Sequence, residues 1–149
     1  MALLTFCRWS GFAWLAVVLS ACAVPTPSFR AAPASGAALV GNEWVASQID
    51  GVTALVEPLP RLRWLSAEQI AGTGGCNGFA GRAVVNQGAL QVGRLAATGR
   101  LCMALPQGGQ EDRFFKVLES ARMVRLIDGE LVLQDVSGQQ LARFSKKSP

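Results

Sequence analysis

The sequence predicts a mainly β domain of the α+β class: a curled antiparallel sheet, or a partly open β-barrel, with one amphipathic helix packed on it. Three observations lead there. Short apolar segments of about five residues recur between turn residues. The dipeptide Asp128-Gly129 separates two of them, and it accepts positive φ at both positions of a tight hairpin turn. One segment alone switches to helical periodicity.

The strands follow in order. Segment 44–49 ends at Asp50-Gly51, and segment 61–65 alternates Arg with Leu or Trp, which gives it one polar and one apolar face. Segments 69–73 and 81–85 flank a glycine-rich corner, and Asn86-Gln87-Gly88 then turns the chain into 89–92. Segments 123–127 and 130–133 form the hairpin around Asp128-Gly129, and Val136-Ser137-Gly138 leads into a last strand over 140–144. Between these, in 110–122, Phe114, Val117, Leu118 and Ala121 fall at i, i+3, i+4 and i+7 and share one helical face. Glu111 and Asp112 occupy the first turn, where negative charge suits the helix dipole. At least one of Phe114 and Phe115 belongs to the core.

The first residues read as an address. Arg8 is the only charge before Arg30 and precedes an apolar run over 12–19. That run rises about 12 Å, well short of a bilayer core about 30 Å thick. A basic start, a short apolar middle and small residues behind it describe a secretory signal. Its end, Leu19-Ser20-Ala21-Cys22, resembles a bacterial lipobox. That resemblance implies cleavage before Cys22 and acylation there, and several acyl chains anchor a protein firmly where one does so only marginally. Ala23 stands where an Asp would resemble an inner-membrane retention signal, so the expected site is the outer membrane, facing the periplasm.

Residues 23–38 carry prolines among Ala, Ser and Thr with one charge and no periodic apolar face. They read as an extended tether. The expected organisation is therefore a signal peptide over 1–21, the lipidated Cys22 and its tether over 22–39, a domain over 40–145 and a basic, frayed tail over 146–149.

The chain contains no His, which removes the commonest general base, the Ser-His and Cys-His nucleophile pairs, and His-containing metal sites. With Cys7 and Cys22 assigned to the leader and the lipid, Cys76 and Cys102 remain, in an oxidising compartment. An even pair there reads first as a disulfide, with free thiols and a redox pair as alternatives; the wide separation is unlike a C-x-x-C redox motif. A bridge would stabilise the domain by about 3.5 kcal/mol in the chain-entropy description. The glycine-rich corner from Gly72 to Gly81 has neither the Lys nor the following helix that a phosphate loop needs. Its glycines suit positive φ or close approach at a sheet corner, with Asn77 bonding locally to the main chain. The carboxylates show no acid/base spacing, and Arg61, Arg63, Arg82, Arg94 and Arg100 form no basic run suited to nucleic acid. No metal and no cofactor are expected.

Gly75-Cys76-Asn77-Gly78-Phe79 with Gly81, then Thr98-Gly99-Arg100-Leu101-Cys102, Glu111 ahead of Phe115 and Leu118, and Leu131-Val132-Leu133 before Gly138 and Phe144 resemble the META domain of HslJ-like heat-shock proteins. Trp44 and the Asp50-Gly51 turn also fit. The resemblance implies a small, mostly β envelope lipoprotein domain linked to heat or stress response, with no known catalytic residue. It makes Gly75, Asn77, Phe79, Gly81 and Thr98 structural motif residues. The sequence departs from the family pattern at Gly78 and at Arg100-Leu101. The expected function is thus a non-enzymatic, lipid-anchored periplasmic protein acting in envelope stress or partner binding. A periplasmic hydrolase inhibitor is the alternative and an enzyme the third.

Overall fold

The computed structural model describes residues 31–100 and 109–147. In chain order the elements are β1 (Ala31–Pro33), α1 (Gly36–Leu39), β2 (Glu43–Ile49), β3 (Arg61–Ser66), β4 (Gln69–Thr73), β5 (Gly78–Asn86), β6 (Ala89–Ala97), α2 (Gln110–Ser120), β7 (Met123–Ile127), β8 (Glu130–Gln134) and β9 (Gln140–Lys146). The strands lie in the order β1-β7-β6-β5-β4-β3-β2-β9-β8, and β8 also pairs with β7, so the sheet curls round until it meets itself. Its seam is thin. β6 and β7 share one register pair, Ala89 with Met123, while β1 pairs with Arg125, Leu126 and Ile127 further along β7. The mainly β, antiparallel, curled fold expected from the sequence is therefore what the chain adopts, without becoming a regular barrel.

Local chemistry sets the turns. Asp50-Gly51 (φ 48° and 78°), Gln87-Gly88 (49° and 86°) and Asp128-Gly129 (52° and 83°) each place two successive residues in the left-handed region, matching the twist of a two-residue hairpin. Alternation then sorts the faces. On β3, Leu62 and Trp64 are about 1% exposed, while Arg61, Arg63 and Leu65 point outward.

The core fills the inside of the curl. Helix α2 closes one side with Phe114, Val117 and Leu118, all buried. Phe79 on β5 meets Phe114 and Phe115 at centroid distances of 5.7 and 5.6 Å, and Phe114 meets Phe144 of β9 at 6.3 Å. Such pairs add about 0.5–1.5 kcal/mol each beyond the area they bury. The buried indole N–H groups of Trp44 and Trp64 have no hydrogen-bond partner. Each costs about 1–3 kcal/mol. Burying an aromatic surface of about 200 Å² at about 25 cal/mol per Å² returns roughly 5 kcal/mol, so the rings stay inside.

Two expected boundaries need correction. Folded structure starts well before Val40: Ala31–Pro33 pairs with β7, the Ser35 hydroxyl accepts from the Ala38 N–H to cap α1, and Ala34 and Leu39 are 2% and 0% exposed. Ala34 and Leu39 are the buried apolar side chains described in the segment, too few to make a period, which is why it reads as tether. Pro33 is tolerated because β1 is an edge strand. At the other end the chain is not frayed at Lys146 and Lys147. β9 runs through Lys146, and Lys147 donates its N–H to the Glu43 carbonyl at 2.9 Å. β5 and β6 are also longer than expected, reaching Gly78 and Ala97 and thus the corner itself.

Candidate functional site

The corner between β4 and β5 is assembled from distant segments. Gly75 sits at φ 120°, a conformation that favours glycine, and a Cβ there would lie 2.8 Å from the Pro58 carbonyl oxygen. The Gly75 N–H donates to Thr73 Oγ1 at 3.1 Å. This geometry points the next two backbone N–H groups at the start of α2. Glu111 Oε2 accepts from the N–H of Cys76 at 3.0 Å and of Asn77 at 2.6 Å, and its Oε1 accepts from Asn77 Nδ2 at 2.6 Å.

Asn77 is the hub. It is 7% exposed, and its Oδ1 accepts from Thr98 Oγ1 and from the Arg100 N–H, both at 2.8 Å. The Asn77 side chain thus reaches Thr98, the Arg100 backbone and Glu111, all distant in sequence, where the sequence suggested bonding to nearby main chain. Beside it, Gln110 is 2% exposed, and its amide makes a two-way exchange with Val56, accepting from the N–H and donating to the carbonyl at 2.9 Å each. The first turn of α2 therefore holds both the corner and the loop before β3.

Of the motif residues, the structure brings Gly75, Asn77 and Thr98 together at this corner. Phe79 and Gly81 serve packing instead. Phe79 is 5% exposed among the aromatic rings, and a Cβ on Gly81 would lie 2.6 Å from Leu95 Cδ2 and 2.9 Å from the Arg94 carbonyl oxygen. Cys76 is half-buried and disulfide-bonded. Cys102 and Cys22 lie outside the described residues. Sequence reading placed Glu111 near the helix dipole but missed its role as acceptor for the corner, and it missed Gln110 altogether. Residue spacing carries no sign of either contact.

The corner forms one end of an open groove of about 690 Å³ on the outer face of the sheet, where Thr73, Gly78 and Thr98 line it beside Arg61 and Arg63. A second depression of about 790 Å³, lined by Arg82, Arg94, Glu68 and Leu65 among others, shares Ala80 and Ala96 with the first. Outward positions on β4, β5 and β6 carry small residues here, Ala71, Gly78, Ala80 and Ala96, so the floor is low. A side chain at Gly78 would have room, since its Cβ would lie 3.7 Å from the nearest atom outside its own chain neighbours, the Gly72 carbonyl oxygen. Glycine at that position leaves the groove open.

Charge is arranged along its two sides. Arg61 pairs with Glu43 at 3.5 Å and Arg82 with Glu68 at 2.9 Å. Arg63 and Arg94 are exposed, and neither is within ion-pair distance of a carboxylate among the described residues. The hydrogen bond from Lys147 holds the Glu43 carboxyl below the usual carboxylate range; partial burial opposes this, and the positive charges of Lys147, Arg61 and Arg63 add to it. Among the described residues no group of three or more His, Cys, Asp or Glu is placed to hold a metal ion, and no helix is long and apolar enough to cross a membrane.

A family model described as META domain matches residues 37–148. Among solved structures, an NMR structure of a protein from Burkholderia xenovorans is similar at a TM-score of 0.62 with 23% identity, covering 91% of this chain and 100% of that one. A second NMR structure of a protein is similar at a TM-score of 0.59, also with 23% identity, covering 74% of this chain and 94% of that one. At such identity the likeness concerns fold. No curated protein matches the chain.

Proposed function

Because the chain belongs to the META domain family, we propose that it is a non-enzymatic, lipid-anchored binding protein of the bacterial envelope, held at the outer membrane by Cys22, facing the periplasm and acting under envelope stress. One observation carries the binding part of this reading. The polar groups gathered at the corner are engaged with one another and with backbone, whereas the groove beside them is open to solvent and rimmed by arginines in excess of carboxylates. A site that does chemistry keeps titratable groups converging on an enclosed volume. Here convergence maintains the shape of a surface. The charge-poor leader ending in Leu19-Ser20-Ala21-Cys22 supports the anchor, and the Cys76 disulfide fits an oxidising compartment. Cys102 is the partner we propose for it, because Asn77, next to Cys76, is bonded to the backbone of Arg100.

Fractionation tests the anchor: Cys22→Ala should move the protein from membrane to soluble periplasm, and membrane retention of the variant would refute it. Complementation tests the surface. In a deletion strain sensitised by heat or detergent, Arg63→Glu with Arg94→Glu should fail to restore growth at normal protein abundance, and full restoration would refute a role for the groove.

A further inference from the structure

We propose that the outer face of β3–β6 binds an acidic oligosaccharide, with its sugar rings lying on the small-residue floor and its carboxylates met by Arg63 and Arg94. This rests on the reading of the domain as a binding module and names what it binds. Dimensions come from the ladder: β3 to β6 is three strand spacings, about 14 Å, and the floor between the Gln69 and Thr73 levels runs about 13 Å along the strands. Such a surface takes a few sugar units.

Three features select the ligand. The backbone groups of these strands are spent on each other through the β3–β4, β4–β5 and β5–β6 ladders, so the face cannot add a peptide strand by main-chain pairing. Protein partners anchor on large aromatic or aliphatic side chains, and here Leu65, 50% exposed, is the one large apolar side chain standing out from the lining. What the lining does supply is the Gln69 amide and the hydroxyls of Thr73, Thr98 and Ser66, each of which makes one hydrogen bond within the fold and keeps a lone pair or its O–H for a ligand, interspersed with guanidinium groups. Neutral donors and acceptors match sugar hydroxyls, which stay half-solvated in an open groove, and a guanidinium fork matches a carboxylate in two-point contact. Charge complementarity fixes the sign. Four arginines stand against two glutamates, and Glu43 and Glu68 already pair with Arg61 and Arg82, which leaves Arg63 and Arg94 for a ligand.

The test titrates the ¹⁵N-labelled full chain in detergent micelles with tetragalacturonate, maltotetraose and tetraglutamate. Tetragalacturonate should give saturable shifts centred on the amides of Ala71, Ala80 and Ala96, and neutral maltotetraose should bind at least tenfold more weakly. Arg63→Glu with Arg94→Glu should weaken tetragalacturonate at least tenfold while the rest of the spectrum is unchanged. Ala80→Gln, which raises the floor without altering charge, should also weaken it and decides the matter if the double reversal disturbs the fold. Absence of saturable shifts, shifts centred elsewhere, or equal binding of maltotetraose would overturn the proposal. Equal binding of tetraglutamate on the same amides would overturn the oligosaccharide while leaving a binding surface in place.

Discussion

Exchanging Glu111 for Gln removes one charge from the corner with almost no change in shape. In the native chain its two oxygens accept three hydrogen bonds, at 3.0, 2.6 and 2.6 Å, from Cys76 N–H, Asn77 N–H and Asn77 Nδ2. An amide can offer an oxygen to the two backbone donors, but its NH₂ then confronts the Asn77 NH₂. Turning Asn77 over would relieve that clash and present its NH₂ to the Arg100 N–H, which is also a donor. No arrangement satisfies every group. Losing charge from two bonds costs about 0.5–1 kcal/mol each, and a donor left facing a donor costs about 1–3 kcal/mol, so Glu111→Gln should cost about 3 kcal/mol. For a domain of this size that is about 12 °C in Tm. Asp112→Asn is the control, since Asp112 sits in the same first turn and loses only its interaction with the helix dipole, below about 1 kcal/mol. Urea unfolding followed by the fluorescence of buried Trp44 and Trp64 measures both. If Glu111→Gln costs no more than Asp112→Asn, the carboxylate is not what holds the corner.

Gly72→Ala should cost more than about 3 kcal/mol, because a Cβ there would run into the Arg61 carbonyl oxygen and lie 2.9 Å from the Phe79 ring; a stable variant in the same urea assay would contradict the close approach. Leu39→Ala should cost about 2–5 kcal/mol, as expected of a core leucine and not of a residue in a tether, and a change below about 0.5 kcal/mol would return residues 31–39 to the linker. Acid should destabilise the domain. Glu43 is held below its ordinary range by its hydrogen bond from Lys147, and Asp135 by that from Ser137 together with the backbone N–H groups of Gln139, Ser137 and Gly138. A lowered folded-state pKa stabilises fully above the unfolded carboxylate's value and is lost as pH falls through the lowered one, so urea midpoints should hold steady from neutral pH to the ordinary carboxylate range and then decline. Glu43→Gln with Asp135→Asn should shallow that decline, and an unaltered slope would refute the assignment.

Strands and turns were legible because their causes are local. The positive-φ pair at Asp128-Gly129 and the alternation of Arg61, Leu62, Arg63 and Trp64 specify a hairpin and a two-faced strand without reference to anything else in the chain. The helix was legible for the same reason: Phe114, Val117 and Leu118 are buried on one face. What stayed hidden depends on register. Ala71, Gly78, Ala80 and Ala96 are unremarkable one by one and become a floor only when their strands are laid side by side. The Glu111 cradle joins residues that stand 34 and 35 positions apart, and nothing in the spacing announces it. β1 was missed because a three-residue strand of Ala and Pro takes its stability from the Arg125, Leu126 and Ile127 edge it meets.

The place where the chain enters the fold has a mechanical side. Force arriving along the polypeptide from its N-terminal direction would reach the domain at Ala31 and load three residue pairs to β7, beside a joint where β6 and β7 share one pair. A pull there would therefore be felt first at the least stitched part of the shell, and β6, which carries Arg94 and Ala96 of the groove, is the strand just across that joint.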